Sequence, residues 1–192
     1  MGLPDPNDVA AYDELEQRRI GGPMPLTRPI ELREYDPRWP DQYAEQATRL
    51  RAALGERLLR IEHVGSTSVR GLPAKPIIDI ALEVPDSADE PAYVPDLEAA
   101  GYALRIREPD WFEHRLLRPP DGAAHLHVFS ASCAETDRMV RFRDWLRAND
   151  ADRELYLATK RDLAARDWKY MQQYADAKSG VVSQILARAM SD

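Results

Sequence analysis

The stretch Pro76–Val84, reading PIIDIALEV, constrains the fold of this 192-residue chain more than any other. Ile77, Ile78, Ile80, Leu82 and Val84 make it the most strand-like segment of the sequence. Side chains alternate along a strand, so Asp79, Ala81 and Glu83 share one face and Ile78, Ile80 and Leu82 the other. An acid among large aliphatic residues is costly to bury unless a metal ion, an Arg or a Lys answers its charge. The plainer reading is a surface carboxylate on a half-exposed sheet, for Glu83 above all.

Other strands follow from the same patterning. LRIEHVG ends a short strand at Gly65, and YALRIR at 102–107, HRLLR at 114–118 and AHLHVFS at 124–130 are further candidates. Helices separate and follow them. Pro40 suits a first helical turn, Tyr43, Ala47, Leu50 and Leu54 form one apolar stripe, and Gly55 ends it. Pro91–Ala100 reads as a helix stopped by Gly101. Ser132 and Glu135 have capping-box spacing before a helical tail running to Met190. The order predicts an α+β domain with mixed strands and a C-terminal helical segment. Residues 1–29, with prolines at 4, 6, 23, 25 and 29, are expected to form an arm or strap with a short helix capped by Asn7 or Asp8. The domain proper is expected over 30–192, with IELREY at 30–35 as an edge strand.

Charge and cysteine content narrow the function. Lys plus Arg number 26 against 33 Asp plus Glu, a formal charge of −7, which argues against a general nucleic-acid coat but leaves room for a local basic pocket. A single cysteine, Cys133, excludes an internal disulfide and a cysteine-only zinc site. No apolar run approaches a membrane span, so a soluble cytoplasmic protein is expected.

Two polar constellations stand out beside Asp79. His125 and His127 lie one strand-step apart on one face, where two imidazoles can converge on a metal or an anionic oxygen, or form a structural pair. With Asp79 they would make a two-histidine, one-carboxylate transition-metal set. His63 and His114, read alone, are packed or solvated histidines. Gly65-Ser66-Thr67-Ser68 follows a strand and is dense in backbone donors and hydroxyls, as a phosphate-wrapping turn requires, although it lacks the Walker and dinucleotide patterns. Lys75 can add positive charge there. Arg141, Arg143 and Arg147 mostly describe a solvated helix face.

The segment from Ile61 to Ile80, IEHVGSTSVRGLPAKPIIDI, resembles the signature of the GrpB family. The likeness extends through YDPRWP at 35–40, His125-Leu-His-Val-Phe129, Arg141–Arg147 and Tyr174–Lys178. It implies a nucleotidyltransferase-like mixed sheet with helices packed mainly on one side. It also implies a metal-dependent enzyme, using Mg²⁺ or Mn²⁺, that moves a nucleotidyl group from a nucleoside triphosphate to a small-molecule acceptor. Gly65, Ser66, Thr67, Ser68 and Lys75 would then bind the nucleotide, Asp79 would hold the metal, and His125 or His127 would be ligand or proton carrier. The superfamily's second acid falls on Ala81, and Arg70 replaces a proline usual in the family. A non-catalytic nucleotide- or CoA-type binding module is the alternative.

Overall fold

The computed structural model describes residues 4–191. Five strands, β1 (Arg60–Val64), β2 (Ile78–Val84), β3 (Ala103–Glu108), β4 (His114–Arg118) and β5 (Ala124–Ser130), form one sheet in the order β1-β2-β5-β4-β3. The β2–β5 pair is parallel and the other three pairings are antiparallel. A parallel pair requires a crossover. Here the connection contains the short helix α3 (Val94–Ala99) and the β3–β4 pair. The helix α1 (Val9–Gln17) and the longer α2 (Trp39–Leu54) precede the sheet, and α4 (Ala134–Ala148), α5 (Asp150–Ala164), α6 (Met171–Ala177) and α7 (Ser179–Ala189) follow it. The expected α+β class with a helical C-terminal segment is therefore correct.

Two apolar clusters hold these layers. Ile78, Ile80 and Leu82 of β2 and Leu126 and Val128 of β5 pack against Leu50 and Leu54 of α2 and Leu97 of α3. Gly55 ends α2 at φ 56°, with its N–H on the Arg51 carbonyl. The second cluster joins Val69 and Leu72, just after the Gly65 turn, to Leu146, Tyr156, Leu157 and Ile185 of α4, α5 and α7. On the face opposite α2, helix α4 reaches β1, where Arg143 meets the Glu62 carboxylate at 2.8 Å and donates to the His63 carbonyl at 3.0 Å. Arg147 donates to the Ser68 carbonyl at 2.9 Å. The sequence predicts mostly a solvated face with one arginine turned inward toward phosphate; in the structure both arginines hold backbone carbonyls at the turn.

Three further expectations are corrected. IELREY forms no strand: alternation makes a strand only with a partner to pair, and its one bridge runs from Arg33 to Ala74. The Ser132–Glu135 capping box is absent. Ser132, at φ 59°, donates its N–H to Glu83 Oε2 at 3.0 Å, Cys133 takes the cap position, and Glu135 pairs with Arg138. Glu83 is accordingly buried at 5% exposure, tying β2 to the start of α4 rather than facing solvent. Before the sheet, Asp8 caps α1, whose Tyr12 donates to Asp176 at 2.7 Å.

Ile80 lies fully buried at the centre of the first cluster. Ile80→Ala is expected to lower the unfolding free energy by about 2–5 kcal/mol. Leu59→Ala, at a residue 52% exposed, should change it by less than about 0.5 kcal/mol. Urea titration of the two variants measures the difference.

Candidate active site

The parallel register aligns Asp79 with His125 and Ala81 with His127. Facing pairs in adjacent strands point to the same side, so the acid of β2 meets both imidazoles of β5. His125 Nδ1 lies 3.2 Å and His127 Nε2 3.8 Å from Asp79 Oδ1. The three side chains keep 31%, 18% and 21% exposure for Asp79, His125 and His127, enough for a ligand to reach them. Burial pushes the Asp79 carboxyl up, but its two histidine partners outweigh this and hold it well below the usual carboxylate range. Burial lowers the affinity of His125 for a proton.

A third histidine extends the group. His114 of β4 places Nε2 3.1 Å from His127 Nδ1, while its Nδ1 meets Glu108 Oε2 of β3 at 2.6 Å. Burial pushes the His114 pKa down to about 4, so the imidazole is neutral at physiological pH. Trp111 sits edge-on to His114 at 4.9 Å. Read alone, His114 is a packed or solvated histidine; alternation puts it on one face of β4, and the β4–β5 pairing that brings that face to His127 is tertiary.

The Gly65 turn abuts Asp79. Gly65 has φ 68° and ψ −173°, a region open essentially to glycine alone, and a Cβ there would stand 2.9 Å from the Asp79 Cβ. Of the turn's hydroxyls, two point inward. Thr67 contacts His63 Nε2 at 3.0 Å and donates to the Ile77 carbonyl, and Ser68 donates to the Gly65 carbonyl at 2.6 Å. Both are buried, so their side chains build the turn instead of reaching a ligand. His63 stacks on Tyr43 at 4.7 Å, and burial lowers its pKa to about 4. Ser66 differs: its Oγ accepts from Lys160 Nζ at 3.0 Å.

Lys160 was not singled out from sequence, because helical periodicity does not show which lysine of a helix turns inward. It is 2% exposed, and its Nζ also donates to the Pro73 carbonyl at 2.5 Å. Burial first, then repulsion from Lys178 and Lys75, lowers its pKa to about 7. Lys75 is lowered to about 8, chiefly by burial and then by Lys178. Lys75 and Lys178 lie 5.4 and 4.6 Å from the Tyr174 ring centre, and the buried Tyr174 hydroxyl has no hydrogen-bond partner among the described residues. Asp79 is the opposite charge felt by both Lys75 and Lys160. A surface hollow along α4, lined by Asp137, Val140, Arg141, Asp144, Trp145 and Ala148, contains none of these groups.

Magnesium asks for a near-octahedral shell of oxygens. The trio supplies one carboxylate and two nitrogens, and Ala81, beside His127, adds no oxygen. The donor set does not fit a magnesium pair.

Gly65→Ala is expected to cost about 1–3 kcal/mol through the strained backbone and to displace the Asp79 carboxylate. Thermal unfolding measures the cost, and the histidine resonances in NMR report the displacement.

Comparison with known proteins is consistent with the turn and the acid strand. The family model for GrpB protein matches residues 29–188. A UPF0157 protein of Halalkalibacterium halodurans is 58% identical over 177 residues, 92% of this chain and 91% of its own. A dephospho-CoA kinase of Mycobacterium bovis is 34% identical over 195 residues, but the match spans only 46% of that protein. The crystal structure of conserved protein GrpB from Enterococcus faecalis superposes with a TM-score of 0.74 at 31% identity, over 84% of this chain and 98% of that one. With the family model matched over most of its length and relatives this similar, the chain belongs to the GrpB family.

Proposed function

We propose that this protein is a cytoplasmic nucleotidyltransferase-like enzyme that binds the phosphate chain of a nucleoside triphosphate and transfers a nucleotidyl group to a small-molecule acceptor. The observation that carries the reading is the run of contacts from Lys160 through Ser66 and Gly65 to Asp79, which joins a desolvated cation, a hydroxyl-bearing turn and a lone acid. Nucleotidyl transfer forms a bond from an acceptor oxygen to the α-phosphorus and breaks the bond to pyrophosphate. Negative charge grows on the departing phosphates. Lys75, Lys160 and Lys178 are the groups to receive it, and desolvated cations act strongly because little water competes. Asp79 stands against the turn as cation holder, with His125 or His127 as further ligand or proton carrier. No step is routed through the Mg²⁺ or Mn²⁺ that the resemblance implies, because the trio offers one carboxylate and two nitrogens instead of an oxygen-rich shell.

Ala81 favours a second reading, a non-catalytic module that binds a nucleotide or CoA-type ligand, and the kinship with part of a dephospho-CoA kinase supports it. Incubation with each nucleoside triphosphate, divalent metals and a metabolite pool separates the two. Pyrophosphate release that falls about a hundredfold or more in Asp79→Ala supports the enzyme. Undiminished release in that variant would sink the role of Asp79, and saturable binding without turnover would favour the module.

Anion binding should be pH-dependent. Burial pushes Lys160 down to about 7 and Lys75 down to about 8, and a bound phosphate raises both values. Affinity for inorganic pyrophosphate is therefore greatest when both lysines are already charged and falls as the pH rises through these values, with proton uptake on binding. Calorimetry in two buffers of different ionisation enthalpy measures the uptake. Lys160→Met should bind more weakly and with a flatter profile.

A further inference from the structure

We infer that Asp79, His125 and His127 form the protein shell of a single zinc-class transition-metal ion, with Glu108 and His114 positioning His127. This inference does not require nucleotidyl transfer to be the reaction. One atom from each ligand lies within 4.8 Å of the other two. Two of the separations, 3.2 and 3.8 Å, bracket the roughly 3.3 Å between neighbouring ligands of a tetrahedral zinc with bonds near 2.0–2.1 Å. Imidazole suits zinc and iron, and a set of two histidines and one carboxylate leaves positions open for water or substrate. Magnesium would find too few oxygens.

The hydrogen-bond chain supplies the independent argument. A carboxylate can only accept, so the Nδ1–H of His114 donates to Glu108. His114 Nε2 in turn lies 3.1 Å from His127 Nδ1. With Nδ1 engaged in this way, Nε2 is the ring nitrogen of His127 that faces Asp79 Oδ1. Their 3.8 Å separation is beyond direct hydrogen-bond reach and within the span of a shared cation. The same chain does what outer partners of metal-bound histidines do: it selects the tautomer, holds the ring and raises its basicity. His125 Nδ1, 3.2 Å from Asp79 Oδ1, is the third donor, with the ring proton on Nε2 when a metal is bound.

The test titrates the chelator-treated full chain with Co²⁺, a coloured stand-in for Zn²⁺. One equivalent should bind with the visible absorption of a low-coordinate ion, be displaced by Zn²⁺, and resist Mg²⁺ in large excess. Asp79→Asn and His127→Ala should abolish binding, with circular dichroism confirming the fold. His114→Ala should weaken it about 10–100-fold at unchanged stoichiometry, and His114→Gln, whose amide oxygen can still accept from His127, should recover part of the loss. Absence of saturable Co²⁺ or Zn²⁺ binding, retention of binding in Asp79→Asn and His127→Ala, or effective competition by Mg²⁺ overturns the site. Unchanged affinity in His114→Ala overturns the positioning role. Pyrophosphate titration of the metal-free protein, with Lys160→Met as control, tests the anion reading separately, so the failure of either is distinguishable from that of the other.

Discussion

The parallel pairing of β2 with β5 is the constraint on which the site depends. It sets Asp79 directly beside His125 and leaves Ala81 beside His127. A shift of one residue in this register would turn the acid and the histidines to opposite faces and bring the aliphatic residues out of the core. The same pairing that buries Ile80, Leu82, Leu126 and Val128 therefore assembles the polar side. Core packing and site geometry are two faces of one register.

Around that pair, each neighbouring element contributes one correction to a difficult electrostatic problem. Gly65 gives up a side chain so that the turn can lie against the acid. Arg143 and Arg147 hold the carbonyls flanking the turn from α4, which keeps its backbone in a conformation few residues tolerate. β4 and β3 supply His114 and Glu108, which back the His127 ring through two hydrogen-bond contacts. Lys160 arrives from α5 with a hydroxyl and a carbonyl as its hydrogen-bond partners, neither of which carries a countercharge. Opposite charges are thus kept apart by a single turn instead of being paired off.

Much of this was readable along the chain. β4 and β5 have the bounds that alternation predicts, and the face shared by Asp79, Ala81 and Glu83 is real. What alternation cannot give is adjacency: Asp79 and His125 belong to segments separated by two other strands, and only their pairing brings them together. IELREY shows the converse, a pattern suited to a strand but without a neighbouring ladder. Glu83 looked solvated because sequence shows the cost of burying an acid but not the backbone N–H of Ser132 that repays it. Lys160 and His114 were hidden for a similar reason, since their significance lies wholly in what tertiary packing sets beside them.

The N-terminal segment is attached in a different manner from the rest. Gln173 donates to the Pro6 carbonyl, Tyr12 to Asp176, Lys169 to Asp13, Ile20 to the Arg105 carbonyl and Leu26 to that of Lys169. None of these residues except Ile20 packs against either apolar cluster. Bonds of this sort are exchanged for water at small net cost. The clasp between the edge strand and helix α6 is thus held chiefly by one ring, since its opening must bring the fully buried Tyr12 into water.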